Sequence, residues 1–163
     1  MRETDYTRLY DKIFKIMGDL TPLRADCGQL CGGACCKGGE DTGMRLFPHE
    51  ETVLSVKHGE NGGRLAVCSG SCDRTKRPLS CRIFPFFPTI DEKGHIFIEP
   101  DHRAARLCPL ITHSEDIVFD PRFFRALKKA GKLLAKDAEC RAFLQAITEE
   151  IDLYGTFLSD TET

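Results

Sequence analysis

Apolar residues recur at helical spacing near the N-terminus. Between positions 6 and 20 they follow one another mostly at intervals of three and four residues, as on one face of an amphipathic helix. Thr4 or Asp5 is available to cap the start, and Gly18 and Pro22 mark the end. The pattern predicts an N-terminal helix that packs on the core.

A second amphipathic region lies near the C-terminus. It opens with Asp120 as a capping residue, followed by proline in the first helical turn. Apolar positions then recur with lysines opposite, and they resume after a second candidate cap at Asp137. We therefore predict a C-terminal helical hairpin over residues 120–158.

Strand signals are confined to the middle of the chain. Residues 64–67 follow a glycine-rich turn and predict one strand. Residues 83–90 and 95–99 flank the turn sequence Asp91-Glu92-Lys93-Gly94, which predicts a short β-hairpin. Two prolines confine the first strand of that hairpin to a sheet edge or break it.

Two other central segments have different patterns. Residues 46–59 carry Pro48 near a first turn and acidic residues after it, which predicts a short extended piece running into a helix that ends by Gly59. Residues 23–43 have no hydrophobic period, only cysteine, glycine and charge. We predict that they form a loop held by something other than packing.

Composition narrows the class of protein. The chain has 163 residues, 29% of them charged, and a formal net charge of -2. This length can bury a core without disulfides, and the charge balance lacks the basic footprint of a nucleic-acid-binding protein. We expect one domain, residues 1–163, with no nucleic-acid partner.

The first residues and the hydropathy indicate a compartment. The N-terminus lacks the apolar stretch and cleavage site of a secretory signal, and no apolar run approaches the roughly 20 residues that cross a bilayer. We therefore expect a cytoplasmic protein with no membrane partner. Because the cytosol is reducing, an odd total of nine cysteines favours metal or redox chemistry over a disulfide scaffold.

The cysteines themselves are the strongest chemical signal. Eight of the nine lie between Cys27 and Cys108, and the first four form a dense run among glycines. Thiolates are soft anionic ligands suited to zinc and iron, and a metal centre needs about four of them converging. Glycines let the backbone turn its N–H groups toward bound sulfur. The run predicts a metal site.

The order of these cysteines also follows a known pattern. A C-x3-C run ends in a double cysteine, a further pair follows, and then comes Arg77-Pro78-Leu79-Ser80-Cys81-Arg82-Ile83-Phe84-Pro85. This order, over residues 27–109, resembles the YkgJ-type cysteine-cluster proteins, also written CxxCxxCC-type. That family is described as zinc- or iron-chelating and often as iron–sulfur-containing. The resemblance implies eight metal ligands: Cys27, Cys31, Cys35, Cys36, Cys68, Cys72, Cys81 and Cys108.

Ligand spacing bears on which metal is bound. Structural zinc sites commonly use paired C-x2-C units, and this chain has none; it has C-x3-C three times. That spacing also suits an iron–sulfur cluster, whose iron atoms lie farther apart than the ligands of one ion. We predict an iron–sulfur cluster, with zinc as the alternative. Eight cysteines suffice for two four-thiolate sites or for one site with spare thiols.

Residues near the cysteines have assignable roles. Arg82, beside Cys81, is the cation best placed to offset thiolate charge. His102 is the best placed histidine, although eight cysteines make imidazole ligands unnecessary. Cys140 lies in an apolar helical stretch and is interpreted as a buried small hydrophobic residue. Phenylalanines are interpreted as core, and as a dry cover over the metal: Phe84, Phe86 and Phe87.

These patterns combine into one description of fold and function. We predict an α+β fold with a small irregular metal-organised cysteine-rich core at residues 27–109, a short β-hairpin, an N-terminal helix and the C-terminal helical hairpin. No phosphate loop, H-E-x-x-H or nucleophile elbow occurs, so catalysis is not predicted. The expected function is metal binding with a structural, redox or metal-handling role. The alternatives are a zinc-binding structural or interaction protein, and an iron–sulfur enzyme similar to the flagellin lysine methylases, on fold-level analogy.

Overall fold

Long helices at both ends enclose short elements in the middle. The computed structural model describes residues 3–40, 42–59, 62–70 and 73–161. The helices are α1 (Glu3–Met17), α2 (Gly28–Cys31), α3 (Leu79–Ile83), α4 (Pro109–Thr112), α5 (Pro121–Leu134) and α6 (Ala138–Thr161). The strands are β1 (Gly43–Arg45), β2 (Val56–His58), β3 (Arg64–Val67), β4 (Phe86–Ile90) and β5 (Ile96–Pro100). The fold is therefore mixed α+β, 49% helix and 14% strand.

The predicted N-terminal helix is confirmed as α1. Its buried positions Tyr6, Tyr10, Ile13 and Met17 are three or four residues apart, so they form one stripe that packs against α5. Gly18 ends the helix in the left-handed region, with φ of 49°, and donates its N–H to the Phe14 carbonyl.

The two predicted C-terminal helices are confirmed as α5 and α6, but they pack mainly on α1 and on the β4–β5 hairpin and not on each other, so the predicted helical hairpin is not formed among the described residues. The Asp120 carboxylate accepts the Arg122 N–H at the start of α5, and the Asp137 carboxylate accepts the N–H groups of Glu139 and Cys140 at the start of α6. Each carboxylate satisfies N–H groups that a helix start leaves without partners. Cys140 is fully buried in the main core, as predicted.

Two small antiparallel sheets fill the middle of the chain. In the first, β3 lies between β1 and β2, so the strand predicted at residues 64–67 is its central member. The second is the predicted hairpin, β4 with β5, in which Pro88 pairs with Ile98. Its first strand begins at Phe86, later than expected, because Ile83 is the last residue of α3. The hairpin packs under α5 and α6.

The helix predicted within residues 46–59 is wrong. The segment is irregular and then continues as the strand β2. His49 has a φ of 58°, which a right-handed helix does not allow. Within residues 23–43 the predicted loop contains two short helical turns, α2 and the 3-10 turn Ala34–Cys36, each too short to bury an apolar face.

A buried carboxylate connects residues 46–59 to α3. Glu50 is completely buried and accepts the Phe47 N–H at 3.1 Å and the Leu79 N–H at 2.6 Å. Burial raises the pKa of Glu50 to about 7, against the opposing effect of these two N–H groups. The side chain therefore fastens this segment to the start of α3.

Among the described residues, no helix combines the length and the apolar character needed to cross a membrane.

Replacing Glu50 with alanine should lower the free energy of unfolding by about 2–4 kcal/mol, because two buried N–H groups lose their acceptor. Urea denaturation followed by circular dichroism measures this loss. Glu51→Ala is the matched control, since Glu51 is exposed and should change stability by less than about 0.5 kcal/mol. Equal effects of the two substitutions would contradict the role assigned to Glu50.

Candidate metal centre

Six of the eight cysteines implied as ligands line one small cavity. Its volume is about 60 Å³, and the rest of its wall is largely apolar. The six come from four separate places in the chain: Cys27, Cys31, Cys35, Cys36, Cys81 and Cys108. The fold therefore brings together thiols that are up to 81 residues apart in the sequence.

Local backbone geometry directs the first four thiols to this cavity. Cys27 caps α2 and Cys31 ends it, so the two lie one helical turn apart on the same face. Gly32 and Gly33, with φ of 60° and 68°, then reverse the chain into the 3-10 turn that carries Cys35 and Cys36. The glycines are needed here because other residues rarely adopt two successive left-handed conformations.

The other two thiols come from helices on the far side of the cavity. Cys81 lies in the middle of α3, whose first N–H is held by Glu50. Cys108 precedes α4 and donates its N–H to the Ala104 carbonyl at 2.8 Å. It is the most buried of the six, and the N–H of Leu110 is directed at its sulfur. Both positions are fixed by backbone hydrogen bonds.

Cys68 lies beside the cavity and does not line it. It follows β3, its N–H binds the Thr42 carbonyl at 2.9 Å, and its sulfur accepts the Gly70 N–H at 3.4 Å. The loop after Cys68 packs on the backbone after Cys36: a Cβ placed on Gly38 would lie 2.7 Å from the carbonyl carbon of Ser69. Cys72, also implied as a ligand, lies outside the described residues.

Three thiols of this cavity have raised pKa values. Burial is the main cause at Cys27 and Cys108, and at Cys35, which is exposed as a residue, the neighbouring Cys36 thiol adds to the partial desolvation of the sulfur. The Cys35 and Cys36 sulfurs lie 3.8 Å apart. Several thiolates in so small a volume would repel one another, so their ionisation requires a compensating cation.

The six sulfurs surround a space and do not meet at a point. Among the described residues, no group of three or more histidine, cysteine, aspartate or glutamate side chains is arranged to hold a single metal ion. The cavity volume of about 60 Å³ also exceeds the about 10–15 Å³ that one water-sized particle requires. The described thiols therefore lie around one cavity without forming a coordination geometry for a single ion.

Arg82, predicted as the cation best placed to offset thiolate charge, does not line the cavity. Its guanidinium donates to the carbonyls of Gly18, Thr75 and Arg77, and it lies 4.7 Å from the Phe14 ring centroid. Arg82 therefore braces the backbone, while Arg77 lines the cavity. The sequence does not show which of these two arginines lines the cavity, since both are close to Cys81 in the chain.

The aromatic cover is partly as predicted. Phe84 lines the cavity, but Phe86 and Phe87 belong to the main core between the hairpin and the terminal helices. His102 packs against Gly155 of α6, and none of the described histidines lines the cavity. The cavity wall also includes Met44, Leu107 and Leu110, which no chemical motif in the sequence marks.

Comparisons with known proteins give no match to this chain. No protein-family model matches the chain, and the searches of curated proteins and of solved structures give no match either. The functional interpretation depends on the cavity, its thiols and the motif order in the sequence.

Gly38→Ala should disrupt the contact between the loop after Cys36 and the loop after Cys68. Gly32→Ala is the matched control, since both glycines have positive φ but a Cβ on Gly32 meets nothing within 4 Å. We expect Gly38→Ala to lower the free energy of unfolding by about 1–3 kcal/mol more than Gly32→Ala, owing to overpacking. Urea titration measures the difference, and equal losses would show that the loops do not pack as described.

Proposed function

We propose that this chain binds a metal centre through cysteine thiolates, that the centre is an iron–sulfur cluster, and that its role is structural, redox or metal-handling. The observation that supports this most directly is the cavity lined by six cysteines from four places in the chain. Packing alone gives no reason for this arrangement, because aliphatic side chains fill a cavity of that kind at least as well. Metal ligation supplies the reason.

The shape of the site favours a cluster over one ion. The sulfurs line a volume and no described set of three converges on a point, whereas the iron atoms of a cluster present several separate positions to thiolates. Cys27 and Cys31 lie close enough to both Cys35 and Cys108 to affect their ionisation. We assign them as ligands in any four-thiolate set.

Zinc is the second candidate, and one distance favours it. The sulfurs of Cys35 and Cys36 are 3.8 Å apart. Two thiolates on one tetrahedral zinc ion, with Zn–S of about 2.3 Å, are separated by about 3.8 Å. A zinc ion bound there would require two further sulfurs of the cavity to move toward it.

The residues around the thiols fit an anionic centre. Four thiolates exceed the positive charge of either metal centre, and the excess requires nearby donors and cations. Arg77 supplies a positive charge at the cavity wall, and the Leu110 N–H is directed at the Cys108 sulfur. Apolar neighbours such as Phe84 exclude water, which sets the reduction potential of a bound cluster.

Anaerobic purification of the full chain should give a brown protein that contains iron and acid-labile sulfide and absorbs broadly near roughly 400 nm. Elemental analysis with an assay for acid-labile sulfide is the measurement. Cys31→Ser and Cys81→Ser should each lose most of the iron and expose residues 23–43 to protease, because the metal would order that loop.

Cys140→Ala is the control for these substitutions, since Cys140 lies in the main core away from the cavity, and it should keep its iron. A colourless protein loaded with zinc would show that zinc, the second candidate, is bound in place of a cluster. Full metal content in both Cys31→Ser and Cys81→Ser would refute the site.

A further inference from the structure

A second cavity, of about 400 Å³, adjoins the cysteine cavity. Residues 18–27, after α1, form one side, and residues from 74 to 84 form the other, with the start of α5 at the edge. Four residues line both cavities and so form the partition between them: Cys27, Arg77, Cys81 and Phe84. A molecule in the larger cavity would therefore lie against the thiol site.

We propose that this larger cavity, called the arginine cavity, binds a small molecule carrying a phosphate-like dianion. Five arginines and three aspartates line it, which leaves a formal excess of two positive charges. The arginines are Arg24, Arg74, Arg77, Arg82 and Arg122, and the aspartates are Asp19, Asp26 and Asp120. A dianion would balance this excess.

Two of the arginines already have carboxylate partners. Arg74 contacts the Asp26 carboxylate at 2.7 Å, and Arg122 contacts the Asp120 carboxylate at 2.7 Å. The pKa of Asp120 falls to about 2, chiefly because of its hydrogen bond from Arg122. These pairs shape the wall of the arginine cavity.

The Arg82 side chain is held in place at the wall of the arginine cavity. Its guanidinium donates to the Arg77 carbonyl at 2.9 Å and to the Gly18 carbonyl at 3.3 Å. Its positive charge therefore stays beside a ligand bound there.

The chemistry of the lining indicates the ligand class. A planar guanidinium binds phosphate oxygens through two parallel hydrogen bonds, and several arginines together favour a dianion. Apolar surface from Leu20, Leu23 and Phe84 lines the same space. A volume of about 400 Å³ falls in the range of small-molecule sites, about 300–1,000 Å³, and leaves room for an organic part beside the phosphate.

Calorimetric titration of the full chain with inorganic phosphate at low ionic strength tests the proposal. We expect saturable binding that weakens with added salt, and a roughly tenfold or greater loss of affinity in Arg24→Gln, since charge-assisted hydrogen bonds are lost. Arg24 is exposed and lies outside the cysteine cavity, so the variant should fold and keep its metal. Arg77→Gln should bind phosphate at least as weakly.

Arg125→Gln is the matched control, because Arg125 is exposed on α5 and lies outside the arginine cavity. It should bind phosphate like the unmodified chain. Hydrogen exchange supplies a readout without substitution: phosphate should slow exchange within residues 18–27 and 74–82. Absence of saturable binding, or equal losses in Arg24→Gln and Arg125→Gln, would overturn the proposal, whether or not the protein holds metal.

Discussion

Gathering six thiols around one small space is the constraint that the middle of this molecule must satisfy. Cys108 is buried and Cys27 half-buried, and burial raises the pKa of both. A buried group of this kind contributes less packing than an aliphatic residue and cannot ionise without a cation. A metal centre of the kind proposed would supply that cation, and it would add to the contacts that already hold the loop before β1, such as the Arg74–Asp26 ion pair.

The rest of the fold supplies rigid walls for this loop. Helices α1, α5 and α6 and the β4–β5 hairpin form the main core, and the cysteine cavity lies at its edge against α3 and α4. Glu50 connects the irregular segment before β2 to the first turn of α3, so it fixes the helix that carries Cys81. Arg82 joins α3 to the end of α1 through the Gly18 carbonyl. The thiol site is thus positioned by elements that are stable without it.

Periodic segments could be predicted from the sequence because one buried stripe decides each of them. This holds for α1, α5 and α6 and for the β-hairpin, whose turn residues are local. Residues 46–59 could not be predicted, because the Leu79 N–H that binds Glu50 lies 29 residues away. The six cysteines around the cavity are among the eight that the motif order indicated. The position of Cys68 beside the cavity and the roles of Arg77 and Arg82 depend on side-chain directions, which the sequence does not show. No pattern in the sequence indicated the arginine cavity, because its residues come from separate segments with no shared motif.

X-ray absorption at the edge of the bound metal tests the central claim most directly, because it reports the atoms around the metal without any substitution. A cluster held by the cysteine cavity predicts a first shell of sulfur alone, with scattering from a second metal atom beyond it. A single shell of sulfur at about 2.3 Å without metal–metal scattering, recorded at the zinc edge, would indicate zinc in the same cavity. A first shell dominated by nitrogen or oxygen would contradict the account, since no described histidine or carboxylate lines the cavity.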